Sequence, residues 1–184
     1  MSRFSKKNIA ILYDVFDGDT KKIAQIIADT ISYVGTVSLY SAEDTDFDDV
    51  KSTDMLIIGS PTYRGRPSLS IAYFIDTIAN HNLKDIEVAA FSVRPIQSHK
   101  GRLSHAVQEW LSSLAAGRII KSLKLKGGRS AMVPLAIHID AESETLSENE
   151  KLRVVEWANQ VEDVFLHKQK AVKRRRRQGT YAAS

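Results

Sequence analysis

Two periods of apolar residues run through the chain. "NIAILY", residues 8–13, is rich in branched aliphatics and reads as a buried strand. From Thr20 the spacing changes: Ile23, Ile27, Ile31 and Val34 recur on one helical face, with Gly35 as a stop. "TVSLY" (36–40) is a second short strand. The acidic stretch "AEDTDFDDVKSTD" (42–54) follows, with a turn of helix around Phe47 to Val50. "MLIIGS" (55–60) is apolar on both faces, as in the middle of a parallel sheet. After a loop with two prolines and a glycine, Ser68 caps a helix striped by Ile71, Phe74, Ile75 and Ile78. "IEVAAFSV" (86–93) is the fourth strand. Leu103, Val107, Trp110, Leu111 and Leu114 mark a helix that carries on past Gly117, bent or broken there, until Gly127-Gly128. "SAMVPLAIHI" (130–139) is the fifth strand, and its Pro134 cannot donate to a ladder, which places it at an edge. Val154, Trp157, Ala158, Val161 and Phe165 stripe the last helix.

Five alternations of strand and helix imply a parallel sheet with helices on both faces, a three-layer α/β/α sandwich with right-handed crossovers. The five-stranded version has order 2-1-3-4-5, with strands 2 and 5 at the edges, in agreement with Pro134. Ligands of such sheets bind beyond the carboxyl ends of the strands. Those ends feed three loops: 14–20, 60–67 and 92–101.

Composition narrows the chemistry. The chain has 184 residues and no cysteine, so disulfides and thiolate metal sites are excluded. The five histidines show no metal spacing, and His138-x-Asp140 reads as structural. There is no G-x-S-x-G elbow, and Ser60 followed by Pro61 is a poor nucleophile. A phosphoacceptor receiver shares the topology but needs an acid at the end of strand three, where this chain has Gly59-Ser60. The basic start "MSRFSKKNIAILYD" has too short an apolar run for a signal peptide, and no stretch reaches the roughly 18 apolar residues of a membrane span. A cytoplasmic protein is expected.

The net charge of +4 comes entirely from the C-terminus. Seven basic residues (Lys168, Lys170, Lys173 and Arg174 to Arg177) lie after residue 167 with no acid among them. The remaining 19 basic residues face 22 acidic ones, so the body is about −3. The expected organisation is a domain over 1–168 and a basic, disordered tail over 169–184. The tail suits an acidic partner, nucleic acid, an anionic surface or simple solubility.

Two motifs carry a resemblance. "YDVFDGDT" follows strand one and "GSPTYRGRP" follows strand three. With "AAGRIIKSLKLKGG" and "LSENEKLRVVEWA", they make residues 8–168 resemble the flavodoxin family. The resemblance implies a flavodoxin-like fold and FMN as cofactor. In the family the first loop reads like S-x-T-G-N-T and holds the phosphate. Laid on this chain it becomes Val15, Phe16, Asp17, Gly18, Asp19 and Thr20. Gly18 and Thr20 match, while the hydroxyls expected at 15 and 17 are missing and aspartates stand where an anion should sit. The second loop implies contacts from Ser60, Pro61, Thr62, Tyr63, Arg64 and Gly65. Tyr63 would stack on the isoalloxazine, Ser60 and Thr62 lie near the ribityl chain, and Gly65 corresponds to a peptide that reorients on reduction. Ser92, Val93 and Arg94 would approach the pyrimidine edge, with His99 or Arg94 near the ring. Typical members are acidic where Arg64 and Arg66 stand.

The function so implied is FMN-dependent electron transfer with a redox protein or a small donor or acceptor. No catalytic side chain is needed, because the flavin does the chemistry. Two alternatives remain open: a module that has lost FMN and works as a binding or regulatory domain, and a small NAD(P)H- or quinone-linked flavin reductase, possible in a homodimer interface.

Overall fold

A computed structural model describes residues 7–15, 18–96, 105–140 and 145–181. Strands β1 (Lys7–Tyr13), β2 (Gly35–Ser41), β3 (Met55–Pro61) and β4 (Glu87–Ile96) are all parallel. They alternate with α1 (Asp19–Ile31), α2 (Phe47–Val50), α3 (Leu69–Thr77) and α4 (His105–Leu125). Two strands, β5 (Arg129–Ser130) and β6 (Leu135–Asp140), share the outer flank of β4, and α5 (Glu148–Tyr181) closes the chain. The order β2-β1-β3-β4-β5, with β6 also on β4, is the expected 2-1-3-4-5 topology.

The side chains of β1 alternate between two cores. Ile9, Ile11 and Tyr13 pack with α1 and α5 through Ile23, Ile27, Val154, Trp157 and Phe165. Ala10 and Leu12 pack with α3 and α4 through Ile71, Phe74, Ile119 and Leu123. Each fully buried Ile, Leu or Phe contributes about 1.5–3 kcal/mol, which explains why the central strands are apolar on both faces.

The structure departs from the sequence reading in four places. The fifth strand is broken: β5 pairs with Glu87 and Val88, β6 pairs with Phe91 to Ile96, and Pro134 falls in the gap. A residue without an N–H cannot hold the ladder there. Gly35 does not end α1. The helix stops at Ile31 and Gly35 opens β2, where a Cβ would lie 2.1 Å from the Lys7 carbonyl oxygen. Helix α4 runs unbroken through Gly117. Finally, β4 runs on to Ile96, so residues 92–96, expected in the third loop, extend the strand and keep pairing with β6. Helix α5 runs to Tyr181. Lys, Arg, Gln and Ala, which dominate residues 168–178, are good helix formers.

α5 runs antiparallel to the strands. Glu150 bonds the His138 N–H (3.3 Å), Arg153 the Ala136 carbonyl (3.1 Å) and Trp157 the Val133 carbonyl (2.7 Å). Phe165 then meets Lys7, the first residue of β1, with Nζ 5.5 Å from the ring centre. Among the described residues, no helix is long and apolar enough to cross a membrane.

Candidate site at the carboxyl ends of the strands

Three expected site loops leave the same end of the sheet. The first joins β1 to α1. Its Gly18 is the N-cap of α1 with φ +71°, a left-handed conformation that glycine adopts without strain. A Cβ at Gly18 would meet nothing within 4 Å among the described residues. Among the described residues no side chain caps the helix. The first turn of any helix presents N–H groups that lack intrahelical partners, together with about half a positive charge. Phe16 and Asp17 lie outside the described residues.

Two of the three aspartates are engaged elsewhere. Asp14 has the same strand parity as Ala10 and Leu12, which face α3 and α4. It is buried, and its carboxylate accepts a hydrogen bond from the Ser70 hydroxyl on α3. Helix α1 packs on the opposite face. Asp19 is ion-paired with Lys22 one turn along α1 at 3.0 Å. A bare carboxylate about 4 Å from a phosphate would cost ~4 kcal/mol at an effective dielectric of about 20. Orientation removes that term for Asp14, and the Lys22 ammonium offsets it for Asp19.

The second loop, from β3 to α3, is tied down by its own bonds. Tyr63 and Arg66 exchange both main-chain hydrogen bonds, at 3.0 and 2.9 Å. Arg64 (φ 49°) and Gly65 (φ 75°) sit between them, both in the positive-φ region that a two-residue I′ turn demands. Ser60 Oγ is fully buried. It accepts from the Ser68 N–H at 2.9 Å and donates to the Pro61 carbonyl at 2.8 Å. Ser68 Oγ continues to Ser70 Oγ at 3.2 Å, and Ser70 bonds Asp14. A chain of hydroxyls therefore connects the base of the second loop to the first. Ser68 occupies the N-cap position of α3 as expected, but its hydroxyl serves this chain instead of capping. Ser70 and the inward turn of Asp14 escape sequence reasoning. The S-x-S spacing at the helix start is the only trace of them.

Thr62 holds the most telling atom. Its N–H bonds the Val93 carbonyl at 2.8 Å, which anchors the loop to β4. Its Oγ1 is the one buried side-chain polar atom without a hydrogen-bond partner among the described residues. Leaving such a group unpaired costs about 1–3 kcal/mol. The neighbouring Tyr63 is half exposed, at 49%. Ser92 and Val93 lie inside β4, buried and paired with Ser60 and Pro61 on one side and Ala136 and Ile137 on the other. Arg94 stands further out, opposite His138. His99 lies outside the described residues.

A family model described as a flavodoxin domain matches residues 10–131. The chain belongs to the flavodoxin family. A flavodoxin of Clostridium saccharobutylicum is 26% identical over 162 residues, covering 85% of this chain and 99% of that one. The structure resembles oxidised flavodoxin 2 from Bacillus cereus with a TM-score of 0.68 at 22% identity, over 85% of this chain and 97% of that one. It also resembles rubredoxin oxygen:oxidoreductase from Desulfovibrio gigas, with a TM-score of 0.68 at 15% identity over 88% of this chain but 37% of that one. These two likenesses concern the fold.

FMN is the cofactor of the flavodoxin family, and the residues present fit it. The start of α1, with no side-chain cap among the described residues, suits a phosphate. The Thr62 hydroxyl lacks a partner that a polyhydroxy chain would supply. Tyr63 is half exposed, and an aromatic side chain there suits a flat ring system.

Proposed function

We propose that this member of the flavodoxin family is an FMN-binding electron carrier. The orphaned Thr62 hydroxyl carries the reading: it is buried at a cost, beside an exposed aromatic, at the end of the sheet where the fold binds ligands. Bound FMN supplies reversible one- and two-electron chemistry. The chain's own part is to hold and tune it. Gly18 and the first-turn amides of α1 receive the phosphate, and Ser60 keeps the second loop in place. Thr62 orients the ribityl chain, and the I′ turn presents Tyr63 in a fixed attitude. Arg64 and Arg66 place positive charge beside the ring. Arg94 approaches the pyrimidine edge, with Ser92 and Val93 buried in β4 behind it.

The redox partner, a protein or a small donor or acceptor, approaches this same end. It meets Leu69 and Tyr73, exposed on α3, beside Glu43 and Asp46, which line a groove of about 380 Å³. A protein partner with a basic rim and an apolar centre fits that surface.

A second reading is a module that no longer holds FMN. It is favoured by Val15, an apolar residue where the family has a hydroxyl. Titration of the full chain with FMN separates the two. Quenching of flavin fluorescence to a 1:1 end point supports the carrier. Unquenched flavin and colourless protein overturn it. Reduction by NAD(P)H alone, without a second protein, would show a reductase instead.

A further inference from the structure

The basic C-terminus has no part in the site above. α5 packs on the core as far as Phe165, at the amino ends of the strands, and continues to Tyr181. The seven basic positions from Lys168 to Arg177 therefore lie on one helix that leaves the body at the pole opposite the flavin loops. Residue 177 stands about 18 Å along the helix from Phe165 at 1.5 Å per residue.

We propose that this arm binds the phosphate backbone of duplex DNA. Seven charges over about 14 Å of helix give one per ~2 Å. That nearly matches the one negative charge per ~1.7 Å of a DNA duplex. At about 100° per residue the seven positions fall all round the helix, and Leu166, Ala171 and Val172 share no face. An interfacial membrane helix needs an apolar stripe, which this segment lacks. A charged rod lying between two phosphate strands needs none. Pairs such as Lys170–Arg174 and Lys173–Arg177 stand at i,i+4 and repel, so a polyanion along the rod relieves them.

The other pole fixes the orientation. Glu43, Asp44, Asp46, Asp48 and Asp49 follow β2, so the side of this end that borders the α3 groove is acidic. The carboxylates after β2 disfavour a polyanion there, so this end stays open to its redox partner while the arm is engaged. The inference does not depend on whether FMN is bound.

The test uses the full chain and a fluorescently labelled DNA duplex, with anisotropy measured over a range of salt. The wild type is expected to bind with a log–log salt slope approaching about −6, set by seven phosphate contacts. The full-length R174Q/R175Q/R176Q/R177Q variant keeps helix-forming residues and is expected to show a slope near about −3 and at least tenfold weaker binding at low salt. Equal binding by wild type and variant, or no salt-dependent binding, would overturn the proposal. So would tighter binding to phosphatidylserine vesicles than to the duplex, or displacement of DNA by an equimolar RNA duplex.

Discussion

The two loops that frame the flavin end solve the same problem in opposite ways. The second keeps its residues and its bonds: Ser60 is bonded on both sides, Tyr63 and Arg66 pair through the main chain, and Gly65 takes the φ that the turn requires. The first, laid on the family pattern, has Val15 and Asp17 where hydroxyls are expected, yet holds Gly18 in the left-handed region at the helix start. A site for an anion is built first from main chain, and main chain survives side-chain change. A site for a flat ring is built from one side chain in one attitude, and needs its supports.

Substitutions on each loop sharpen that contrast. Tyr63→Ala should weaken FMN binding most. Covering the exposed half of the ring and stacking on it are together worth about 2 kcal/mol, or roughly 30-fold in Kd. Stability should hold, because the turn's bonds are main-chain. Parallel loss of FMN affinity and thermal stability would show the ring to be a structural part of the turn. The reverse experiment belongs to the first loop. Val15→Ser restores a hydroxyl where the family has one, at a partly exposed position. A hydrogen bond to a charged group adds about 1.5 kcal/mol, so FMN fluorescence titration should show about tenfold tighter binding. No gain would mean that the amides already satisfy the phosphate.

Thr62→Val separates folding from binding. Removing a buried hydroxyl that has no partner should stabilise the cofactor-free protein by about 1 kcal/mol, while FMN affinity falls by a similar amount. Opposite signs in denaturant unfolding and in FMN titration are the signature. If both fall, Thr62 Oγ1 serves the fold instead.

The layer order and the edge position of the fifth strand were legible because apolar periodicity and Pro134 encode them directly. Tyr63, Gly65 and Gly18 were legible as motif positions. The hydroxyl chain through Ser68 and Ser70 to Asp14 was not, because Asp14 and Ser70 meet across 56 positions of sequence and only the packing of α3 brings them together. Nor was the ion pair of Asp19, since a carboxylate in a loop reads the same whether it faces a ligand or a lysine. The break between β5 and β6 was missed because Pro134 signals an edge equally well whether the strand continues or stops.

Glu150 offers a carboxylate to set against those of the first loop, because protein donors already hold it. Burial pushes its pKa up, but hydrogen bonds from His138 and Arg153 outweigh this and bring it below the ordinary value of 4.5. A lowered folded-state pKa contributes stability above the ordinary value, and that contribution is lost as pH falls through the folded value. Glu150→Gln should therefore cost about 1 kcal/mol at neutral pH, reading the 2.6 Å Arg153 contact as a partly exposed charged hydrogen bond. The difference from wild type should shrink below about pH 4. A cost that stays constant down to acid pH would assign the effect to packing.

The smallest expected effect lies at the turn itself. Arg64 adopts φ 49° without being glycine. Asn tolerates that region better, so Arg64→Asn should stabilise the protein by about 0.5 kcal/mol in urea unfolding. It also removes a cation from beside the ring position. Positive charge favours the form of the cofactor that carries more negative charge, so Arg64 and Arg66 together should make the lower-potential couple less negative than in members with acidic loops. Replacing both should shift that couple downward in a redox titration. Strain relief and charge removal act on different observables, so the two readouts test them apart. If the couple does not move, the arginines point into solvent, and the second loop influences the flavin through Tyr63 and the turn geometry alone.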